Sequence, residues 1–131
     1  MKFMLMMQGT QAGWESMLRT WSPAEVGAHI QFMQRFAKDL AAAGELVLAE
    51  GLDLPTNAKI VTGKGGPPVV TDGPFPESKE FLAGFWIIDV ASEGRAIEIA
   101  AAASAAPGPG GRPLGIPIEV RLVPSAPPES Q

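Results

Sequence analysis

The chain has 131 residues, 46% of them apolar and 18% charged, with no cysteine and a formal net charge of −4. That size supports one domain with a single core, and the lack of cysteine excludes disulfides, thiolate nucleophiles and Cys-ligated zinc or iron–sulfur centres. Ten Lys and Arg residues scattered along an acidic chain do not make the concentrated basic patch that nucleic-acid binding draws on, so no nucleic-acid partner is expected.

The opening Met1-Lys2-Phe3-Met4-Leu5-Met6-Met7 imitates a signal peptide, but its apolar run stops at Gln8-Gly9 and no small-residue cleavage site follows. No segment approaches the roughly 20 apolar residues that span a bilayer. A cytoplasmic protein with no membrane partner is expected.

Lys2–Gln8 is predicted as the first strand, and Gly9–Trp21, with Trp14 and Trp21, as an irregular loop. Ser22-Pro23-Ala24-Glu25 opens a helix: Ser22 caps, Pro23 suits the first helical position and Glu25 completes a capping box. The helix runs to Ala43, with Gly44 as its left-handed stop, and its core stripe is Val26, Ile30, Met33, Ala37, Leu40 and Ala41. Glu45–Leu52 reads as a second strand, Asp53–Ala58 as a turn, and Lys59–Thr62 with Val69–Thr71 as a short hairpin across Lys64-Gly65-Gly66-Pro67-Pro68. Phe81–Val90, the most hydrophobic strand, is placed in the middle of the sheet. Ser92 caps an alanine-rich helix over Glu93–Ala105, ended by Pro107-Gly108-Pro109-Gly110-Gly111. Ile116–Val123 alternates apolar and polar residues, a strand with one dry face. Residues 1–123 thus form one domain and 124–131 a frayed tail.

This order is β-α-β, a β excursion, then β-α-β: an α+β, ferredoxin-like βαββαβ fold with two helices on one sheet face. The other face would carry Met4, Leu48, Phe85 and Ile87. An apolar face that large marks an interaction surface, and a twofold homodimer of the dimeric α/β barrel kind would cover it.

The string Thr71-Asp72-Gly73-Pro74-Phe75-Pro76-Glu77-Ser78-Lys79-Glu80 resembles the signature of the DGPF branch of the YCII-related family. Ala42–Leu46 with Glu50-Gly51-Leu52, Leu82–Asp89 and Ile118–Arg121 resemble further blocks of that family. Pro76, where the family pattern has Ala, and the segment Pro107–Pro113, longer than usual, depart from it. The resemblance implies a ferredoxin-like fold and barrel-like dimers. YciI-like relatives carry a His–Asp pair in a cleft and have been proposed as small-molecule enzymes, one linked to dehydrochlorination of an aromatic ring. Genes for the branch often neighbour those for alternative sigma factors, which points to a regulatory circuit.

His29 is the only histidine and the side chain suited to proton transfer near neutrality. A helical wheel puts it about 60° from the middle of the core stripe, on the side of Phe36 and Phe32. It reads either as a cleft-facing catalytic base or as a half-exposed histidine at a dimer interface. Asp72 either closes an Asx-type turn or pairs with His29 to orient it. Glu50 is a second carboxylate of the cleft or a plain edge charge. Lys79 pairs locally with its acidic neighbours or holds a ligand anion, and Phe36 flanks the cleft. Glu119 and Arg121 read as a solvated or interface face. A lone histidine excludes the usual zinc complement; no metal or cofactor is expected. Two functions follow: a cofactor-independent lyase, isomerase or hydrolase acting on a small molecule, with His29 and Asp72 moving the proton, or a non-catalytic dimeric ligand-binding or interaction module.

Overall fold

The computed structural model describes residues 1–72 and 80–125. The chain runs β1 (Lys2–Thr10), α1 (Gln11–Thr20), α2 (Pro23–Ala42), β2 (Leu46–Gly51), β3 (Lys59–Thr62), β4 (Val69–Asp72), β5 (Glu80–Asp89), α3 (Glu93–Ser104) and β6 (Ile118–Val123). Single 3-10 turns lie at Pro55–Asn57 and Pro109–Gly111. Four strands form an antiparallel sheet in the order β2-β5-β1-β6, and β3 and β4 form a separate two-stranded ribbon. This is an α+β fold, and its strand order is compatible with a ferredoxin-like arrangement in which the ribbon is the inserted excursion. As the sequence predicts, the apolar β5 is central, between β2 and β1. Among the described residues, no helix is long and apolar enough to cross a membrane.

Period-two alternation divides the sheet into two faces. Phe3 lies opposite Ile88 and Leu5 opposite Trp86, and all four are buried with Leu40 of α2 and Ala96, Ile99, Ala100 and Ala103 of α3. The α3 residues recur at i, i+3, i+4 and i+7, the spacing of one helical face, and their small size lets the helix lie close to the sheet. Met4 opposite Ile87 and Met6 opposite Phe85 belong to the other face, with Leu48 and Glu50 of β2 beside them. Among the described residues no helix packs there: Met6 is buried, but Phe85 and Ile87 are half-buried and Leu48 is 43% exposed. A shift in register between Leu46 and Leu48 sends Leu46 to the core and Leu48 to the open face.

Three sequence expectations need correction. Gly9–Trp21 is mostly the helix α1, not an irregular loop. Thr10 caps it through its hydroxyl, which accepts the Gly13 N–H at 3.1 Å, and the Trp21 N–H closes it on the Met17 carbonyl. The inward face of α2 is turned by about 50° towards Phe36: Leu40 is buried and Met33 and Phe36 pack on the core, whereas Ile30 is 49% exposed and Ala41 exposed. The extra helix α1 supplies Trp14 and Trp21 on that side, and α2 rolls to meet them. Last, β6 begins at Ile118, and its dry face extends only over Ile118 and Val120, because Leu122 is 55% exposed.

Arg95, in the first turn of α3, grips Glu45 at the entry to β2 with two parallel bonds, Nε to Oε2 at 2.9 Å and Nη2 to Oε1 at 2.8 Å. A two-pronged geometry of this kind is the strong form of a surface ion pair. The Arg95 hydrogen bonds hold the Glu45 carboxyl below its ordinary value, against partial desolvation. Because the folded pKa lies below the unfolded one, the pair stabilises the fold above the ordinary carboxylate range and its contribution fades as pH falls through the depressed pKa. Arg95→Ala is therefore expected to lower the melting temperature at neutral pH, with the gap to wild type closing in acid. A gap that stays constant between about pH 7 and pH 3, across the carboxylate range, would dissociate this pair from stability.

Candidate functional site

Two cavities abut where α1, α2 and β5 meet. The smaller, of about 300 Å³, is lined by Trp14, Met17 and Trp21 together with Leu114 and Ile116. Its neighbour, of about 480 Å³, runs from α2 to the edge strand β2 and reaches Met33, Glu50, Phe85 and Trp86. Both are bordered by Met7, Trp14, His29 and Ala83. A larger depression of about 1050 Å³ is lined, among the described residues, by α2 alone, from Ala28 to Asp39, along the outer flank of that helix.

The turn of α2 described above brings His29 to the middle of the inward face. Its ring meets Trp21 edge-to-face, with centroids 5.7 Å apart. His29 Nδ1 lies 3.1 Å from the carbonyl oxygen of Pro107. A carbonyl can only accept, so Nδ1 carries the proton and, in the neutral ring, Nε2 is the lone-pair atom. His29 is thus held with one nitrogen committed to the protein and the other left to meet whatever enters the cavities.

The carbonyl that holds it belongs to a braced loop. Pro107 and Pro113 bridge the base of the loop, and the Gly108 N–H donates to Arg112 O at 2.8 Å. Gly108 is needed here because a Cβ would lie 2.5 Å from Leu114 Cδ2. The tip is tied to α2 by Glu25, whose Oε1 accepts from the Ser22 N–H at 2.8 Å while Oε2 accepts from the Gly110 N–H at 2.7 Å. Gly110 adopts φ 66°, a left-handed conformation that glycine takes without penalty. The Ser22 and Gly110 N–H groups hold the Glu25 carboxyl below its ordinary value. Glu25 and His29 are four residues apart and so sit one above the other on α2. One helix face grips both ends of the loop.

The other residues singled out from sequence are dispersed. Glu50 borders the larger cavity, but it is paired with Phe85 on the open face of the sheet, whereas Ala49 and Trp86 face the helices. It is a carboxylate of the rim. Phe36 stacks with Phe32 and meets Trp86 edge-to-face at 5.7 Å; it packs on the core and borders neither His29 cavity. Asp72 ends β4, exposed, with its carboxylate taken by Lys59 across the ribbon. It lines neither cavity, and the group that orients His29 is the Pro107 carbonyl. Glu119 and Arg121 pair at 3.6 Å on the open face, as a solvated pair. Lys79, with the rest of residues 73–79, lies outside the described residues, as do 126–131. Among the described residues no group of three metal-ligating side chains comes together.

Residues 1–108 match the model of the YCII-related domain. The chain belongs to the YCII-related family. It is also similar to an uncharacterized protein of Rhizobium meliloti (strain 1021), 34% identical over 86 residues, which cover 66% of this chain and 69% of that protein. In this YCII-related chain the sequence reading missed Trp14, the Pro107 carbonyl and the second role of Glu25. One signal for the last was present: Ser22-x-x-Glu25-x-x-x-His29 is a capping box continued by one helical turn.

Glu25 acts on His29 only through the loop, which makes it a positioning residue with a spectroscopic signature. At about pH 9, where an imidazole is neutral, the ring-nitrogen NMR shifts of wild type should report the Nδ1–H tautomer. Glu25→Ala should move them towards a mixture of tautomers. Unchanged shifts in a folded Glu25→Ala variant would leave Glu25 as a helix cap and nothing more.

Proposed function

We propose that the protein binds a small organic molecule in the His29 cavities and that His29 Nε2 takes a proton or a hydrogen bond from it. The observation that carries this reading is the bond from Nδ1 to the Pro107 carbonyl, because it commits one ring nitrogen and leaves the other as an oriented base. In a catalytic version a ligand X–H gives its proton to Nε2, leaving X⁻ and an imidazolium that still donates through Nδ1. A neutral carbonyl stabilises that cation less than a carboxylate would, so the site suits moderately acidic protons. The reaction class is a cofactor-independent isomerisation or elimination, in which the proton is taken from one atom of the substrate and returned to another or lost with a leaving group. Asp72, held by Lys59 on the ribbon, has no part in this step.

The second reading is binding without turnover. It is favoured by the partner of His29 Nδ1, a neutral main-chain carbonyl and not a carboxylate. His29→Gln separates the two, since its amide can still donate to Pro107 but cannot take a proton. A compound turned over by wild type should lose about 10²- to 10⁴-fold in rate in His29→Gln while still raising the melting temperature. Compounds that raise the melting temperature of wild type without being consumed support binding alone.

The protein also acts, in this proposal, as a homodimer closed over the open sheet face, as in dimeric α/β barrels. The support is the row of half-buried Met4, Phe85 and Ile87 with exposed Leu48, which no helix among the described residues covers. Light scattering should give a dimer, and Ile87→Glu a folded monomer, because it puts a charge in the middle of that face. A monomeric wild type at micromolar concentration would remove the dimer.

A further inference from the structure

From the locked tautomer of His29 and the walls around it, we infer that the ligand of these cavities is an uncharged, ring-sized apolar molecule that presents one hydrogen-bond donor. This rests on the reading of the cavities as a ligand site and adds the chemistry of what they accept.

The geometry sets three conditions. The first concerns the polar contact. With the Nδ1 proton given to Pro107 at 3.1 Å, neutral His29 can only accept at Nε2, so the matching ligand atom carries a proton: a hydroxyl or N–H, not an ether or a ketone. A ligand without that donor would cover Nε2 and leave it unpaired, which costs more than the bond itself is worth. The second concerns charge. Among the described residues, no Lys or Arg borders either cavity, and the one formally charged side chain is Glu50 at the rim. An organic anion would therefore be desolvated without a counter-charge from the described residues. The third concerns shape. Trp14, Trp21, Leu114 and Ile116 border a cavity of about 300 Å³, the low end of the range for small-molecule pockets. That volume and an indole-rich, aliphatic lining suit a ring-sized apolar molecule.

Benzyl alcohol, its isomer methyl phenyl ether, and benzoate test these conditions with one ring size. They are titrated into the full chain by calorimetry at neutral pH, with the His29 ring nitrogens followed by NMR. The alcohol should bind at least about fivefold tighter than the ether, because the ether leaves Nε2 unpaired. Benzoate should bind at least about tenfold more weakly than the alcohol. In His29→Leu the alcohol should lose its advantage and the ether should bind no more weakly than in wild type, since no nitrogen is left unpaired; if that variant fails to fold, the wild-type ranking decides by itself. Equal binding of alcohol and ether to wild type, or benzoate binding as tightly as the alcohol, overturns the inference and leaves the cavity a ligand site of another class. No saturable binding of any of the three overturns the ligand-site reading as well.

Discussion

The hydrogen bond between His29 and Pro107 joins residues 78 positions apart, and the site exists only because the fold brings them together. α2 must present His29 inward, the chain after α3 must turn back over the N-terminal half of α2, and the loop must be stiff enough to keep a carbonyl aimed at one nitrogen. Proline at both ends of the loop restricts its backbone, the bridge between Pro107 and Pro113 closes its base, and Glu25 pins its tip. These constraints act on the main chain, so the orienting acceptor is fixed by backbone geometry and not by a second side chain. A carboxylate in that place would add charge to the base. A carbonyl adds direction without charge, and that distinguishes this arrangement from a histidine–aspartate pair.

The sheet and the site depend on one another through α2. Phe36 and Trp86 meet edge-to-face and set the roll of the helix on the sheet; such aromatic pairs add about 0.5–1.5 kcal/mol beyond the area they bury. That roll exposes Ile30 and turns His29 inward. On the far side, Gly9 lets Trp14 come close, for a Cβ there would lie 2.8 Å from the indole Nε1. Gly84 does the same for the end of β2, where a Cβ would meet the Glu50 carbonyl at 3.0 Å. The walls of the larger cavity thus include two close approaches at glycine, the tighter of them at Gly9.

Elements with strong local signals were legible in the sequence. The capping box at Ser22 and Glu25, the β5 apolar run and the Ser92 cap of the alanine-rich α3 each rest on signals within one element, and each is found where the sequence put it. Not every miss depended on partners far along the chain: Trp14, Met17 and Trp21 recur at i, i+3 and i+7, a helical spacing that the loop reading of Gly9–Trp21 passed over because of its glycines, and the Thr10 cap starts the helix. The α2 stripe was centred on Val26 and Ile30 by counting apolar residues, and tertiary contact with Trp86 overrode the count. His29 was recognisable as the titratable candidate, but its partner was sought among side chains. A main-chain carbonyl has no letter in the sequence, and that is why Pro107 could not be named.

The family relationship and the histidine's environment do not cover the same residues. The match to the YCII-related domain ends at residue 108, whereas the features that steady the Pro107 carbonyl lie mostly beyond it: Gly110 tied to Glu25, Arg112 closing the loop on Gly108, and Leu114 packed against Gly108 and lining the smaller cavity. Kinship therefore argues for strands β1, β2 and β5 of the sheet, the two helices that cover it and the capped start of α2. It does not by itself argue for the tautomer. A relative with the same domain but a shorter connection after α3 could keep a histidine at the corresponding turn and present it differently, with Nδ1 free or bound to a carboxylate. Since the tautomer decides whether the ring offers a lone pair or a proton to a ligand, chemistry is not transferable along this family from the domain match alone. The loop between Pro107 and Pro113 has to be compared first.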